Sequence, residues 1–392
     1  MSKKTFRTFG KLFMALAVVL FAVIAVNTIR VKADNGETVR VSNAKELKAA
    51  MKNAEVGTII FRTKAYQTVT IKADKAAKSK SLIIDAPNTS FTNKAVFYNI
   101  NILNAKAYTE AASGNNITLS DCYLSNGIIV AKKKKVKSLT VIDSYGTFSM
   151  DYTLRKGAKL NKLELVYAGE LLPVKSSYNK SKKTVTLDFT DYNECQRKFT
   201  IKLDKNGRVS KYSCVSNWVE YTYDYTYKYD SNGNLVKMTG TDNDGGKFTT
   251  EYTYTGNALT YYTYTADYES GERRYNRDSE GRVLYDEYNG KGSMDGIEYT
   301  YTNTEEYEYD KEGRVSYERW ESPDSGYFSE TVYTYDSKGF LTETWTNNSG
   351  SESINTYKYN KAGDLISETY TSEGYSDTTN YTYHDLGYLV EM

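Results

Sequence analysis

Histidine, cysteine and proline are nearly missing from this chain: 392 residues hold one histidine, three cysteines and three prolines. A single histidine, His384, with no cysteine beside it excludes most histidine-based metal sites and Ser-His-Asp triads. It stands where other copies of a repeat have Asp, and reads as a turn residue. The cysteines, Cys122, Cys195 and Cys214, form no disulfide framework and follow no zinc spacing. Cys195 and Cys214 flank a turn at Asp204–Gly207 and would lie about three residues out of step, so a bridge would need a bulge or another register. Otherwise they are small buried hydrophobes.

Long apolar runs are missing as well, except near the start. Lys3, Lys4, Arg7 and Lys11 precede an apolar run from Leu12 to Val26, and Val31-Lys-Ala33 supplies small-residue cleavage positions. This predicts a secretory signal peptide over residues 1–33 and a mature chain from about Asp34. The run is short for a spanning helix, which needs roughly 20 residues; an uncleaved anchor is the alternative. No lipid-attachment cysteine follows and no wall-sorting pattern closes the chain. The expectation is a secreted or surface-held protein, touching the membrane only through the signal sequence before cleavage.

What the chain has in excess is tyrosine, 39 residues. Many fall in a recurring Tyr-Asp-x-x-Gly-x-Leu, seen at Tyr229-Asp230, Tyr309-Asp310 and Tyr335-Asp336. Looser copies begin at Leu203, Asp278, Tyr359 and Tyr383, and a degenerate one surrounds Tyr254, Gly256 and Leu259. A fixed period marks a repeat architecture. Asp at the first turn position and Gly at the fourth predict a type I turn closed by a positive-φ glycine and a bulge. The flanks alternate, as in Tyr221-Thr-Tyr223-Asp-Tyr225-Thr-Tyr227-Lys-Tyr229, which is the period of a strand. Wider polar loops at residues 242–246, 269–272, 322–326, 347–350 and 372–374 join the hairpins. The whole predicts an antiparallel meander whose tyrosine face is its core.

That register resembles the YD repeats of the RHS family, which includes bacterial surface and toxin-delivery proteins and the animal teneurins. The likeness covers about residues 199–392. It implies a spiralling β-sheet shell with carbohydrate binding, in a bacterial setting. The array is short for a closed shell, and neither an RHS core segment nor a toxin domain after Met392 is expected.

The N-terminal half reads differently. Asn43 with Glu46 is a capping-box pattern; Leu47, Ala50, Met51 and Ala54 form a helical stripe, and Gly57 ends the helix. Very short apolar runs follow at residues 58–61, 68–71, 81–84, 96–97, 100–103, 117–119, 128–130, 139–141 and 163–165. Strands of three or four residues cannot stand as a meander, but stacked coils would pair each with the coil above and below. The stretch Val-Ser-Asn-Ala-Lys-Glu-Leu-Lys-Ala-Ala at 41–50, then Gly57-Thr-Ile-Ile, resembles the start of pectate-lyase-like right-handed parallel β-helices. The fold class is therefore all-β: a short-stranded parallel β-helix-like region over 34–175, connecting strands over 176–198, and a YD-type hairpin array over 199–392.

Lyases of that β-helix fold use a calcium-binding carboxylate cluster, and none can be placed here. Asp85, Asp121 and Asp143 read as scattered turn residues. Asp242-Asn-Asp244-Gly245 begins like a calcium loop but lacks its closing Glu. No catalytic residue, metal or cofactor is expected, and no nucleic-acid partner. Charge divides the chain: the net is +12 from Asp34 to Thr200 and −16 from Ile201 to Met392. The basic run Lys132, Lys133, Lys134 and Lys135 is a candidate contact for an anionic polymer or else a solvated loop. Tyr227, Tyr229, Tyr309 and Tyr335 are candidate sugar-stacking residues or else sheet core; loop aromatics Tyr268, Tyr327 and Tyr375 are freer. The leading expectation is a non-enzymatic repeat protein binding cell-wall or host polysaccharide. A carrier remnant of an RHS-type toxin system and a polysaccharide lyase or hydrolase on the β-helix are the alternatives.

Overall fold

The computed structural model describes residues 36–392 except 123, 125–126, 146–147, 149–151, 170–172, 192, 218–221, 242–244, 295–296, 385 and 387–388. The segment expected to be a signal peptide and most of the calcium-like loop lie outside the described residues, as does Tyr221. The molecule is nearly all β, with one α-helix over Ala44–Lys52 among the described residues. No described helix is long and apolar enough to cross a membrane. Two units divide the chain. The first holds the described residues to Phe61, then Val69–Asp85 and Ser90–Asp224; the second holds Arg62–Thr68, Ala86–Thr89 and Tyr225–Met392.

In the first unit the helix starts as its sequence dictates. Asn43 Oδ1 accepts from the backbone N–H of Lys45 and Glu46, each at 3.0 Å, and the Glu46 carboxylate returns to Ser42 N at 2.8 Å. Leu47, Ala50 and Met51 are its buried face. Gly57 does not end it; the helix stops at Lys52, and Gly57 lies in the Val56–Arg62 strand. Successive coils then stack in parallel. Ile100, Ile117, Leu139 and Leu163 sit one above another, and so do Ile102, Leu119, Val141 and Leu165. A second ladder joins Tyr108, Ile128 and Tyr152, and a third joins Lys135–Val136 to Lys159–Leu160. The inward side chains of these rungs form the hydrophobic interior, with Ile100, Ile102, Ile117, Leu163 and Leu165 fully buried.

Two strands here are much longer than their apolar runs. Ser81–Asn93, whose Ala86–Thr89 portion belongs to the second unit, and Asn99–Glu110 run on because small and polar residues, Ala86, Thr89, Asn93 and Glu110, take the buried positions. Residues 96–97 are not strand. Glu110, wholly buried, accepts from Tyr108 OH at 3.0 Å, Asn115 Nδ2 at 3.0 Å, Asn93 Nδ2 at 3.1 Å and Ala112 N at 2.7 Å. Burial pushes its carboxyl above the ordinary range, although these four donors favour the charged form.

A meander of 17 strands, each paired with its neighbours in sequence, runs from Ser177–Asn179 to Tyr375–Asn380. Its first strands, through Val209–Ser216, belong to the first unit. There Phe189 stacks on Tyr167 at 4.0 Å, and Phe199 meets Phe148 edge-on at 5.3 Å. Cys195 and Cys214 are buried free thiols, and Cys214 lies opposite Phe199.

The second unit departs from the expectation of a tyrosine core. From Tyr225 onward no apolar side chain is fully buried among the described residues; the buried side chains are Asn234, Thr250, Asp286, Thr344 and Asp364. Tyrosines occupy one face in alternation, yet they remain half-exposed.

Candidate functional site

The hairpin turns explain the motif, including a position the sequence pattern leaves open. Gly313 N donates to Asp310 O at 2.9 Å, Gly313 has φ +77°, and the register slips by one residue between Glu308 and Tyr309. Asp310 Oδ1 accepts from Glu312 N and Arg314 N, while Oδ2 takes Arg314 Nε. The residue after the glycine thus ties the turn together: Arg208, Asn234, Arg282 and Arg314 bond the turn aspartate in this way. Two of these arginines also reach the next hairpin. Arg282 lies over the Tyr309 ring at 4.7 Å, and Arg314 over the Tyr335 ring at 4.5 Å. The tyrosines answer through their hydroxyls, Tyr309 donating to Val283 O at 2.8 Å and Tyr335 to Val315 O at 2.9 Å. One copy further on, Phe340 stacks on Tyr359 at 4.7 Å.

Tyr309 and Tyr335 are therefore staples between consecutive hairpins, each with a ring face covered by arginine. Tyr227 and Tyr229 are half-buried in the Thr222–Tyr229 strand, on the tyrosine-bearing side. Of the loop aromatics, Tyr268 is 79% exposed, Tyr327 packs beside Trp320 at 5.6 Å, and Tyr375 lies beside Tyr370 at 6.3 Å.

A different set of tyrosines is laid out for contact. Gly271, Gly290 and Gly292 sit mid-strand, and a ring lies across each. A Cβ on Gly290 would come within 2.4 Å of Tyr301 Cζ. On Gly292 it would meet Tyr299 Oη at 2.4 Å, and on Gly271 Tyr288 Oη at 2.4 Å. Register places Gly290 opposite Tyr301 and Gly292 opposite Tyr299. With no side chain beneath, the rings fold down onto the backbone, as in aromatic rescue of strand glycines. Tyr288 and Tyr301 are 5.7 Å apart between centroids, Tyr299 and Tyr301 6.2 Å. Tyr299 is 44% exposed, and Tyr301 OH donates to Glu269 Oε1 at 2.6 Å. The result is a shelf of three rings with a carboxylate at its rim. Glycine inside a strand opposite tyrosine is the sequence signal for this shelf, and it falls outside the turn periodicity.

Next to the shelf, on the same face, Arg273 binds both Asp286 and Glu305, at 2.6 and 2.7 Å. Tyr307 OH donates to Glu305, and Tyr333 OH to Glu318. Burial, with the Glu305 charge, pushes Asp286 up to about 6 against the pull of Arg273. A groove of about 510 Å³ at the same strands is lined by Thr263, Ser270, Glu272, Asn289, Lys291 and Thr302, which alternate with the shelf positions, together with Gly271, Gly290 and Tyr301.

In the first unit, Lys132 and Lys133 are exposed at a coil corner, and Lys135 begins the Lys135–Val136 strand rather than sitting in a loop. Asp143 is a turn residue, accepting from Tyr145 N and Phe148 N. Asp121 is not isolated: it accepts from Ser144 N and Oγ on the next coil, and burial and the nearby Asp143 raise its carboxyl. Among the described residues no group of His, Cys, Asp and Glu is arranged to hold a metal ion. His384 Nδ1 accepts from Leu386 N within its turn.

No family model matches the chain, and no curated protein matches it. Solved structures with partial likeness include TcdB2–TccC3 without its hypervariable C-terminal region. It is 13% identical over 55% of this chain and 16% of that one, with a TM-score of 0.21. A porin-like protein from Bacteroides uniformis is 13% identical over 55% of this chain and 94% of that one, with a TM-score of 0.20. The chain thus spans a small part of the first of these.

Proposed function

We propose that this chain is a non-enzymatic, exported repeat protein that binds glycan on the tyrosine-bearing face of its hairpin array. The observation that carries the reading is the shelf of Tyr288, Tyr299 and Tyr301 on Gly271, Gly292 and Gly290. Flattened rings offer apolar faces to the C–H faces of sugars, and the Glu269 carboxylate at the rim can accept a sugar hydroxyl. The neighbouring carboxylates are engaged: Glu305 and Glu318 by tyrosine hydroxyls, Asp286 by Arg273. That arrangement supports recognition rather than general acid–base hydrolysis, which needs one carboxyl held ready for proton transfer to substrate.

The test is affinity electrophoresis and calorimetry of residues 34–392 against neutral wall and host polysaccharides. Tyr299→Ala and Tyr301→Ala should each weaken binding about two- to twelvefold, from roughly 0.5–1.5 kcal/mol per aromatic contact. Absence of binding to every glycan, or full affinity in the double variant, would remove this function.

A further inference from the structure

Lys132 to Lys135 do not stand alone. Lys133 turns the coil with φ +62°. The Lys135–Val136 strand then pairs in parallel with Lys159–Leu160, so Lys135 and Lys159 are direct partners on adjacent coils. Val136 and Leu160 stack inside, 2% and 6% exposed. Backbone bonds hold the two corners in step, Lys133 N to Lys156 O at 3.1 Å and Lys159 N to Lys134 O at 2.9 Å. Lys132, Lys133, Lys135 and Lys137 are exposed on one coil, Lys156 and Lys159 on the next. None of these six forms an ion pair among the described residues; the one lysine pair at this edge, Lys162 with Glu164 at 3.5 Å, lies beyond them.

Strand pairing sets neighbouring backbones about 4.8 Å apart, and like charges held directly opposite repel. The coil needs only that Val136 and Leu160 face inward; it places no demand for lysine at the outward positions. A threonine or glutamate at either place would remove the repulsion. Like charges gathered on a rigid edge and engaged in no ion pair are suited to an external polyanion, which releases its counterions on binding.

We propose that this lysine comb binds a linear anionic glycopolymer, one bearing phosphodiester or carboxylate groups at close intervals. Lysines act as point charges on flexible stems, matched to a file of single anions rather than to planar bidentate groups. No aromatic residue interrupts 132–137 or 156–162, so there is no platform for stacked bases, which favours an acidic saccharide over single-stranded nucleic acid. The surface lies wholly in the first unit and does not depend on the tyrosine shelf.

The experiment titrates residues 34–392 with poly(glycerol phosphate), polygalacturonate, a neutral glucan and duplex DNA at several salt concentrations. Lys135→Glu, Lys159→Glu and, as a charge-reversal control on an exposed hairpin turn, Lys311→Glu are run beside the parent. An acidic polymer binds with affinity that falls as salt rises, and the tighter of the two identifies which anion the comb takes. Each lysine substitution weakens that binding about tenfold or more and lowers the salt slope by about 1 or more. Each also raises the melting temperature of the unliganded protein, because attraction replaces repulsion across the rung. That gain separates lost binding from lost folding. Lys311→Glu keeps acidic-polymer binding. Unchanged affinity in both lysine variants, or duplex DNA binding as tightly as the acidic polymers, overturns the proposal.

Discussion

The coils of the first unit pair their strands in parallel and the hairpins of the second pair theirs antiparallel, and the two hold their side chains differently. In the coils, Ile, Leu and Val stack rung upon rung and are removed from water; a buried polar group such as Glu110 is tolerated because four donors surround it. In the hairpins beyond Tyr225 no apolar side chain reaches full burial among the described residues. Local turn chemistry, cross-strand pairs and the arginine–tyrosine staples take over, each worth little alone and repeated many times. A closed layer stabilises itself by burial; an open one does so by repetition, and it keeps half-exposed aromatic faces as a consequence.

Four measurements would break or sharpen that contrast. Leu165→Ala should cost about 2–5 kcal/mol in urea unfolding, as a cavity in a filled interior does. Tyr252→Ala, in the array, should cost only about 1 kcal/mol, since its ring is half-exposed; equal costs would abolish the distinction. Next, Asp310→Ala should lose about 1–2 kcal/mol, because two backbone donors and Arg314 Nε lose their acceptor.

The third is a pH comparison. Glu110 has a raised folded pKa, so its contribution to coil stability is full below about 4.5 and is lost as pH rises through the folded value. Asp310 is opposite: burial works against its charge, yet the Arg314 N–H and guanidinium outweigh it and lower the pKa. Its contribution is present above the unfolded value near 3.8 and is lost as pH falls. Asp286, pushed up to about 6, behaves like Glu110, so array stability should also decline between pH 3.8 and about 6. Asp286→Asn should flatten that limb in melts followed by tyrosine absorbance; an unchanged limb would contradict the assignment. The smallest effect expected is none: reductant should not shift the melt, because Cys195 and Cys214 are free.

Local rules read well from the sequence. The turn residues Asp310 and Gly313, the bulge after them, and the Asn43 cap all appear as expected, because a few neighbouring atoms decide them. The all-β class and the parallel stacking of short strands were legible from spacing. The length of Ser81–Asn93 was not, since its inward positions include Ala86, Thr89 and Asn93, which carry no apolar signal. In the sequence the tyrosine face reads as a core because alternation shows which side a residue takes, not how far that side is covered; Tyr335 packs against Tyr66 at 4.9 Å, yet the tyrosines of the array stay short of full burial. The shelf was hidden for a related reason: Gly290 and Tyr301 are neighbours only through register, which no local pattern reports.

The hydroxyl of Tyr335 reaches back to Val315, and Arg314 reaches forward to Tyr335. The Arg282–Tyr309 joint has the same chemistry, again between one hairpin and its successor. An array joined in this manner is modular. Duplication or excision of a whole segment, such as 310–335, would leave compatible junctions, so lineages could alter the reach of the ribbon without redesigning it.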